Sequence, residues 1–202
     1  MSVAKHKSQS VSKPGDRRGS AAKGADSRAV RTRAQIDSAF VALLHHRSFE
    51  RMCVSDITRK AGVGRATFYA HFQSKDELLR SQMQRVVLPM LKLQPEKPFL
   101  LDCRIFFEHI RTAPHIYKAL LGGRQQRGAR VIRETLERHL DGAMTDASKS
   151  IDGTIPELLM KRFVISVLLG VAAHSLNCSR EKAQAEEMQR LFERLVGSGL
   201  SA

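Results

Sequence analysis

The segment AGVGRATFYAHFQSKDELL, Ala61 to Leu79, gathers polar side chains at spacings that suit one kind of chemistry. In a short helix from Arg65 to about Phe72, Phe68 and Phe72 fall at i and i+4 and pack inward. Arg65, Thr67, Tyr69 and His71 are then left on other faces. A guanidinium, a hydroxyl, a phenol and an imidazole in one row can bond phosphate oxygens and base edges, and a helix presenting them fits a major groove. Catalysis finds no comparable support. The chain has no G-x-S-x-G, P-loop, G-x-G-x-x-G or H-E-x-x-H, so catalytic residues and cofactors are expected to be none. His109, His115, His139 and His174 lack metal-ligand spacing with one another or with Cys53, Cys103 and Cys178, and no metal is expected. Those cysteines form no CxxC and read as reduced thiols in a cytoplasm.

Helices must hold that row in place. Thr32 and Gln35 have capping-box spacing, and Ile36, Ala39, Phe40, Leu43 and Leu44 then make one apolar stripe, which predicts a helix from Thr32 to about Arg47. Ser55 can cap the next helix, Asp56 suits its positive end, Ile57 and Ala61 share a side, and Gly62 stops it. After Gly64 comes the short helix described above. Ser74 and Glu77 form a second capping box, opening a helix through Leu78, Leu79, Met83 and Val86 toward Pro89.

Helical periodicity continues to the end, with no strand alternation and no internal repeat. Phe99, Cys103, Phe106, Phe107 and Ile110 form a stripe, a short helix follows Pro114, and Val131, Ile132, Leu136, Leu140, Ala143 and Met144 form another stripe. Gly122-Gly123 and Asp152-Gly153 read as loops. A helix over 156–177 is apolar over most of its circumference, and one over 181–196 gathers Met188, Leu191, Phe192, Leu195 and Val196 on one face. The expected fold is all-α, with about nine helices: a three-helix head over 31–76, its recognition unit at 55–74, and a helical bundle over 77–202.

The 202 residues carry a formal charge of +14, half of it in the first 33. A Ser/Gly/Lys-rich arm over 1–30 cannot repay its ordering entropy and is expected to be disordered. An inert tail and an arm that neutralises phosphates fit it equally. Arg124, Arg127, Arg130 and Arg133 recur every third residue and read as a solvated face. The longest apolar run, Phe163 to Ala173, falls short of a membrane span, so no membrane is expected.

Val54 to Leu79, with its TFYAHF-x-SK core and a helix at the right distance before it, resembles the tetracycline-repressor (TetR) family of bacterial transcriptional regulators. The resemblance covers roughly 50 residues strongly, and the rest matches in length and helical character. It implies that Arg65, Ala66 and Thr67 lie closest to base edges, that Tyr69, His71 and Lys75 lie closest to the backbone, that Ser55 sits near a phosphate, and that Arg33 joins them. Gly64 stands where Ser or Thr is common and Ala66 where Gly is frequent, which bears on the sequence read. The resemblance further implies double-stranded DNA with an inverted-repeat operator as partner, a homodimer, and a small, mostly apolar effector. The pocket would involve Cys103, Phe106, Phe107, His109, Tyr117 and His174; the dimer interface, Phe163, Val167, Gly170, Val171, His174, Met188, Leu191, Phe192 and Leu195. A ligand-released repressor is the first reading. A constitutive DNA-binding regulator is the alternative, and a helical enzyme or adaptor stands third.

Overall fold

The computed structural model describes residues 17–94, 101–122, 125–141, 156–178 and 184–200. Phe99, Gly123, Arg124, Ala143, Met144, Asp152, Gly153, Glu181 and the arm over 1–16 lie outside them. Within the described residues the chain forms nine α-helices: α1 (Arg17–Leu44), α2 (Val54–Ala61), α3 (Arg65–His71), α4 (Lys75–Gln82), α5 (Arg104–Thr112), α6 (Pro114–Leu121), α7 (Arg127–Leu140), α8 (Glu157–Ser175) and α9 (Ala185–Leu200).

The first helix corrects the expected arm, since the chain is helical from Arg17 and not from Thr32. Ala21, Ala22, Lys23, Ala25, Arg28, Ala29 and Arg31 are good helix formers, and the packed stretch containing Ile36, Phe40 and Leu44 supplies the nucleus from which they extend it. Thr32 and Gln35 therefore lie mid-helix and cap nothing. Cys53, and not Ser55, is the residue before α2, and Asp56 accepts its N–H at 2.9 Å. That bond, ahead of the Arg47 guanidinium, holds the Asp56 carboxyl below its ordinary range.

Gly62 ends α2 at φ 68°, the left-handed region that glycine enters without steric cost. Val63 donates back to the Thr58 carbonyl at 3.0 Å, which closes the turn into α3. Ser74 accepts the Glu77 N–H at 3.2 Å to start α4, and Glu77 accepts from the Gln73 N–H at 2.5 Å. Beyond Gln82 the winding changes. Met83–Val87 is a π turn and Leu88–Met90 a 3-10 turn, where the sequence had predicted a single helix to Pro89.

Two short strands, β1 (Lys92–Leu93) and β2 (Leu101–Asp102), pair antiparallel with Leu93 opposite Leu101. No strand was expected, and two residues are too few to show alternation. Buried Gln189 on α9 secures the ladder's end, donating to the Leu101 carbonyl at 2.8 Å and accepting the Cys103 N–H at 2.7 Å.

The bundle closes around α8. Met160, Val164, Ile165, Leu168, Val171 and Ala172 are buried along it, as are Met188, Phe192 and Val196 on α9. By composition Leu158–Ser175 is long and apolar enough to cross a membrane, longer than the uninterrupted run from Phe163, but its buried side packs as a core helix does. Gly128 brings α7 onto the end of α6. A Cβ there would lie 2.2 Å from the Leu120 carbonyl oxygen, so only glycine permits the approach.

Candidate nucleic-acid interface

The outer surface of the head is built from α3. Phe68 is fully buried and Phe72 nearly so, their rings 5.8 Å apart, which fixes the helix's rotation. Arg65, Ala66, Thr67 and Tyr69 consequently face solvent, Tyr69 with 48% of its surface exposed. An aromatic side chain so exposed on a seven-residue helix contributes little to the core. His71 is half-buried, and Ser55 is exposed in the first turn of α2. Arg59 and Lys60, at the last turn of α2, add exposed cations. Lys60 also lines an open groove with Arg31 of α1. No motif in the sequence marks these three cations, although Ser55 and Arg59 stand at i and i+4, a spacing that puts them on one helix face.

Lys75 and Arg33 depart from their expected roles. The Lys75 ammonium donates to the carbonyls of Phe49 at 2.7 Å, Met52 at 2.8 Å and Glu50 at 3.3 Å, and lies 4.6 Å from the centre of the Phe49 ring. Its three donors are all engaged inside the protein. Burial, followed by the nearby Arg127 charge, lowers its pKa. A lysine so held caps the loop between α1 and α2 and has no donor left for a phosphate. Arg33 donates to the Ser81 hydroxyl at 2.7 Å and sits 4.8 Å over the Phe72 ring, joining α1 to α4.

The head is tied to the bundle at several points. Phe49 donates its N–H to the Ala119 carbonyl on α6 at 2.9 Å. Arg127, at the start of α7, bonds Asp76 of α4. His45 and His115 bring their Nε2 atoms to 3.2 Å. The arginines read as a solvated face therefore include cross-links, Arg127 to Asp76 and Arg133 to the Ser166 hydroxyl at 2.9 Å.

A model of the bacterial regulatory proteins of the tetR family matches residues 36–81, the segment that carries this head. The chain's head is that of the TetR family. An HTH-type transcriptional regulator of Bacillus subtilis, YxbF, is 44% identical over 61 residues, which are 30% of this chain and 16% of that protein. One from Haemophilus influenzae is 28% identical over 98 residues, 44% of this chain and 48% of that one. The matched segments thus span less than half of those two relatives. Among solved structures, a TetR transcriptional regulator from Streptococcus agalactiae 2603V superposes with a TM-score of 0.62 at 23% identity, over 87% of this chain and 98% of that one. TylP, a TetR regulator from Streptomyces fradiae, gives 0.55 at 15% identity over 85% and 87%. Both establish the all-α fold across head and bundle.

The bundle holds a half-open apolar cavity of about 170 Å³ between α1, α4 with its π turn, α5 and α6. Tyr117 and His109 line it, 2.6 Å apart at their hydroxyl and Nδ1, and Phe106 lines a smaller space beside it. Three expected pocket residues lie elsewhere. Cys103 is wholly buried near the β2 end, where burial raises its thiol pKa. Phe107 is packed in the core, and His174 is exposed on α8, its Nε2 3.3 Å from the Cys178 sulfur. The cavity walls instead include Phe40, Leu79, Gln82 and Val86, which belong to the head or its connecting helix.

The expected dimer residues also divide. Val171, Met188 and Phe192 are buried within the protomer, so they cannot meet a partner. Phe163, Val167 and Leu191 are half-buried, and Gly170, His174 and Leu195 are exposed. Exposed Leu158 and Leu159 extend the same apolar surface along α8.

Proposed function

We propose that this TetR protein is a cytoplasmic, sequence-specific DNA-binding transcriptional regulator. It acts as a homodimer on an inverted-repeat operator, as a repressor released by a small, mostly apolar effector. The observation that carries the reading is the row of Arg65, Ala66, Thr67 and Tyr69, turned outward by the burial of Phe68 and Phe72. Arg65, Ala66 and Thr67 read base edges, while Tyr69, His71 and Ser55 contact the sugar-phosphate backbone with Arg59 and Lys60. The homodimer forms through the exposed apolar surface of α8 and α9.

Effector control is supported by the position of the cavity. Phe40, Val41 and Leu44 of α1 form part of its wall and also belong to the head, so a molecule seated there presses on the element that carries α2 and α3. Release follows to the extent that the effector prefers the non-binding arrangement.

Fluorescence anisotropy with labelled duplexes tests the DNA reading. Thr67→Ala should change which duplex is preferred, and Tyr69→Phe should weaken binding to all duplexes alike. Affinity that does not depend on salt or on duplex sequence would remove the proposal.

A further inference from the structure

We propose that His45 and His115 form a site for one zinc ion, which ties the end of α1 to α6. The observation that carries it is the approach of two ring nitrogens. The Nε2 atoms stand 3.2 Å apart, with ring centres 3.9 Å apart and ring planes tilted by 41°. Two nitrogens held at about 2.0–2.1 Å by one tetrahedral ion lie about 3.3–3.4 Å from each other. The pair needs to open by only about 0.1–0.2 Å to accept zinc.

The exchange of proton for metal balances. In the neutral pair one ring donates its Nε2 proton to the other Nε2. When zinc takes the place of that proton, the donating ring carries it on Nδ1 instead, and both Nε2 lone pairs face the ion. Imidazole nitrogen suits zinc, whereas magnesium demands oxygen ligands.

The surroundings admit the ion. His45 is exposed and His115 half-buried, so zinc reaches both from solvent. Among the described residues no third histidine, cysteine or carboxylate joins them in a larger set, and waters fill the remaining positions, as at open zinc sites. Arg47, two residues after His45, is paired with Asp56 at 2.8 Å, and Arg111, one turn before His115, with Glu108. Those two charges are offset, and that of exposed Lys118 is screened by solvent.

Spacing along the chain pointed to no metal because the two ligands are 70 residues apart. They meet only where the head joins the bundle: His45 follows the last residue of α1, and His115 is the second residue of α6. A bound ion therefore fastens the two parts beside the bond from the Phe49 N–H to the Ala119 carbonyl.

Calorimetric titration of the full chain with zinc chloride at about pH 7.5, where imidazole is mostly neutral, tests this. One site should be filled, and magnesium chloride should give no binding heat. His45→Gln and His115→Gln should each weaken zinc binding at least about tenfold, since even outer-shell changes at zinc sites cost that much. His46→Gln and His174→Gln should leave it within about twofold; the first removes the imidazole nearest His45, at 6.2 Å between ring centres, and the second the one beside the Cys178 sulfur. Zinc should also raise the urea midpoint of the unaltered chain more than that of either site variant. No zinc binding, binding that survives His45→Gln and His115→Gln, binding lost in His46→Gln or His174→Gln, or an equal rise in midpoint for all chains would overturn the inference.

Discussion

Arg127 grips Asp76 with two nitrogens, Nε at 3.1 Å from Oδ1 and Nη2 at 3.1 Å from Oδ2, and so fastens the first turn of α7 to the first turn of α4. The carboxylate also lies at the positive end of α4. Arg127 is 45% exposed, which screens the pair, so a double-mutant cycle with Asp76→Asn and Arg127→Met should give a coupling of about 1 kcal/mol in urea denaturation. Strictly additive losses would show the pair to be idle.

Lys75 separates two roles that one substitution can test. A phosphate contact, once removed, lowers the salt slope of DNA binding by about one. A lysine holding the Phe49, Glu50 and Met52 carbonyls stabilises the fold instead, and Lys75→Met should cost about 1–3 kcal/mol of stability with the slope unchanged. Urea melts and a salt titration of duplex binding measure the two effects. A lowered slope with unaltered stability would restore the phosphate role.

Acid should loosen the junction of head and bundle. The facing Nε2 atoms of His45 and His115 can share one proton, and burial, then the charges of His45 and His46, lowers the His115 pKa from its ordinary 6.5. Burial lowers that of His109 too. Since the folded chain holds these protons less tightly than the unfolded one, the stabilisation is complete above the unfolded value. It is lost as pH falls through 6.5 toward the lower folded values. The urea midpoint should drop between about pH 7.5 and about pH 5.5, and less so in His115→Gln. An unchanged midpoint across that window would contradict this.

Outward and inward positions of α8 and α9 should respond differently. Leu159→Glu, Val167→Glu or Leu195→Glu should weaken self-association by about 2 kcal/mol or more and leave the protomer folded. Val171→Glu should unfold the protomer instead, because that side chain is buried within it. Sedimentation velocity with parallel melts distinguishes the two responses. Dimers that survive all three outward changes would place the interface elsewhere.

What the sequence made legible is local. Gly62 and Ser74 act through neighbours within a few residues, and both behave as the spacing predicts. Phe68 and Phe72 are one helical turn apart, so their burial and the outward row were readable together. The contacts of Lys75 were not legible because the carbonyls it holds lie 23 to 26 residues away, where no periodicity points. The inward side of α8 was misread for the opposite reason. A helix apolar on most sides offers no phase, so Val171 and Val167 look alike until α5, α7 and α9 cover one of them. The cavity was partly legible: Tyr117 and His109 lie on its wall, whereas Phe40 and Gln82 come from stretches that read as plain head and connecting helix.

Selection of bound duplexes from a random pool tests the central claim, that α3 reads DNA, most directly. The account predicts enrichment of an inverted repeat with half-sites one helical turn, or a multiple of it, apart. It also predicts that a different sequence emerges for Thr67→Ala. Recovery of no enriched sequence, or of the same sequence after Arg65→Ala and Thr67→Ala, would contradict it.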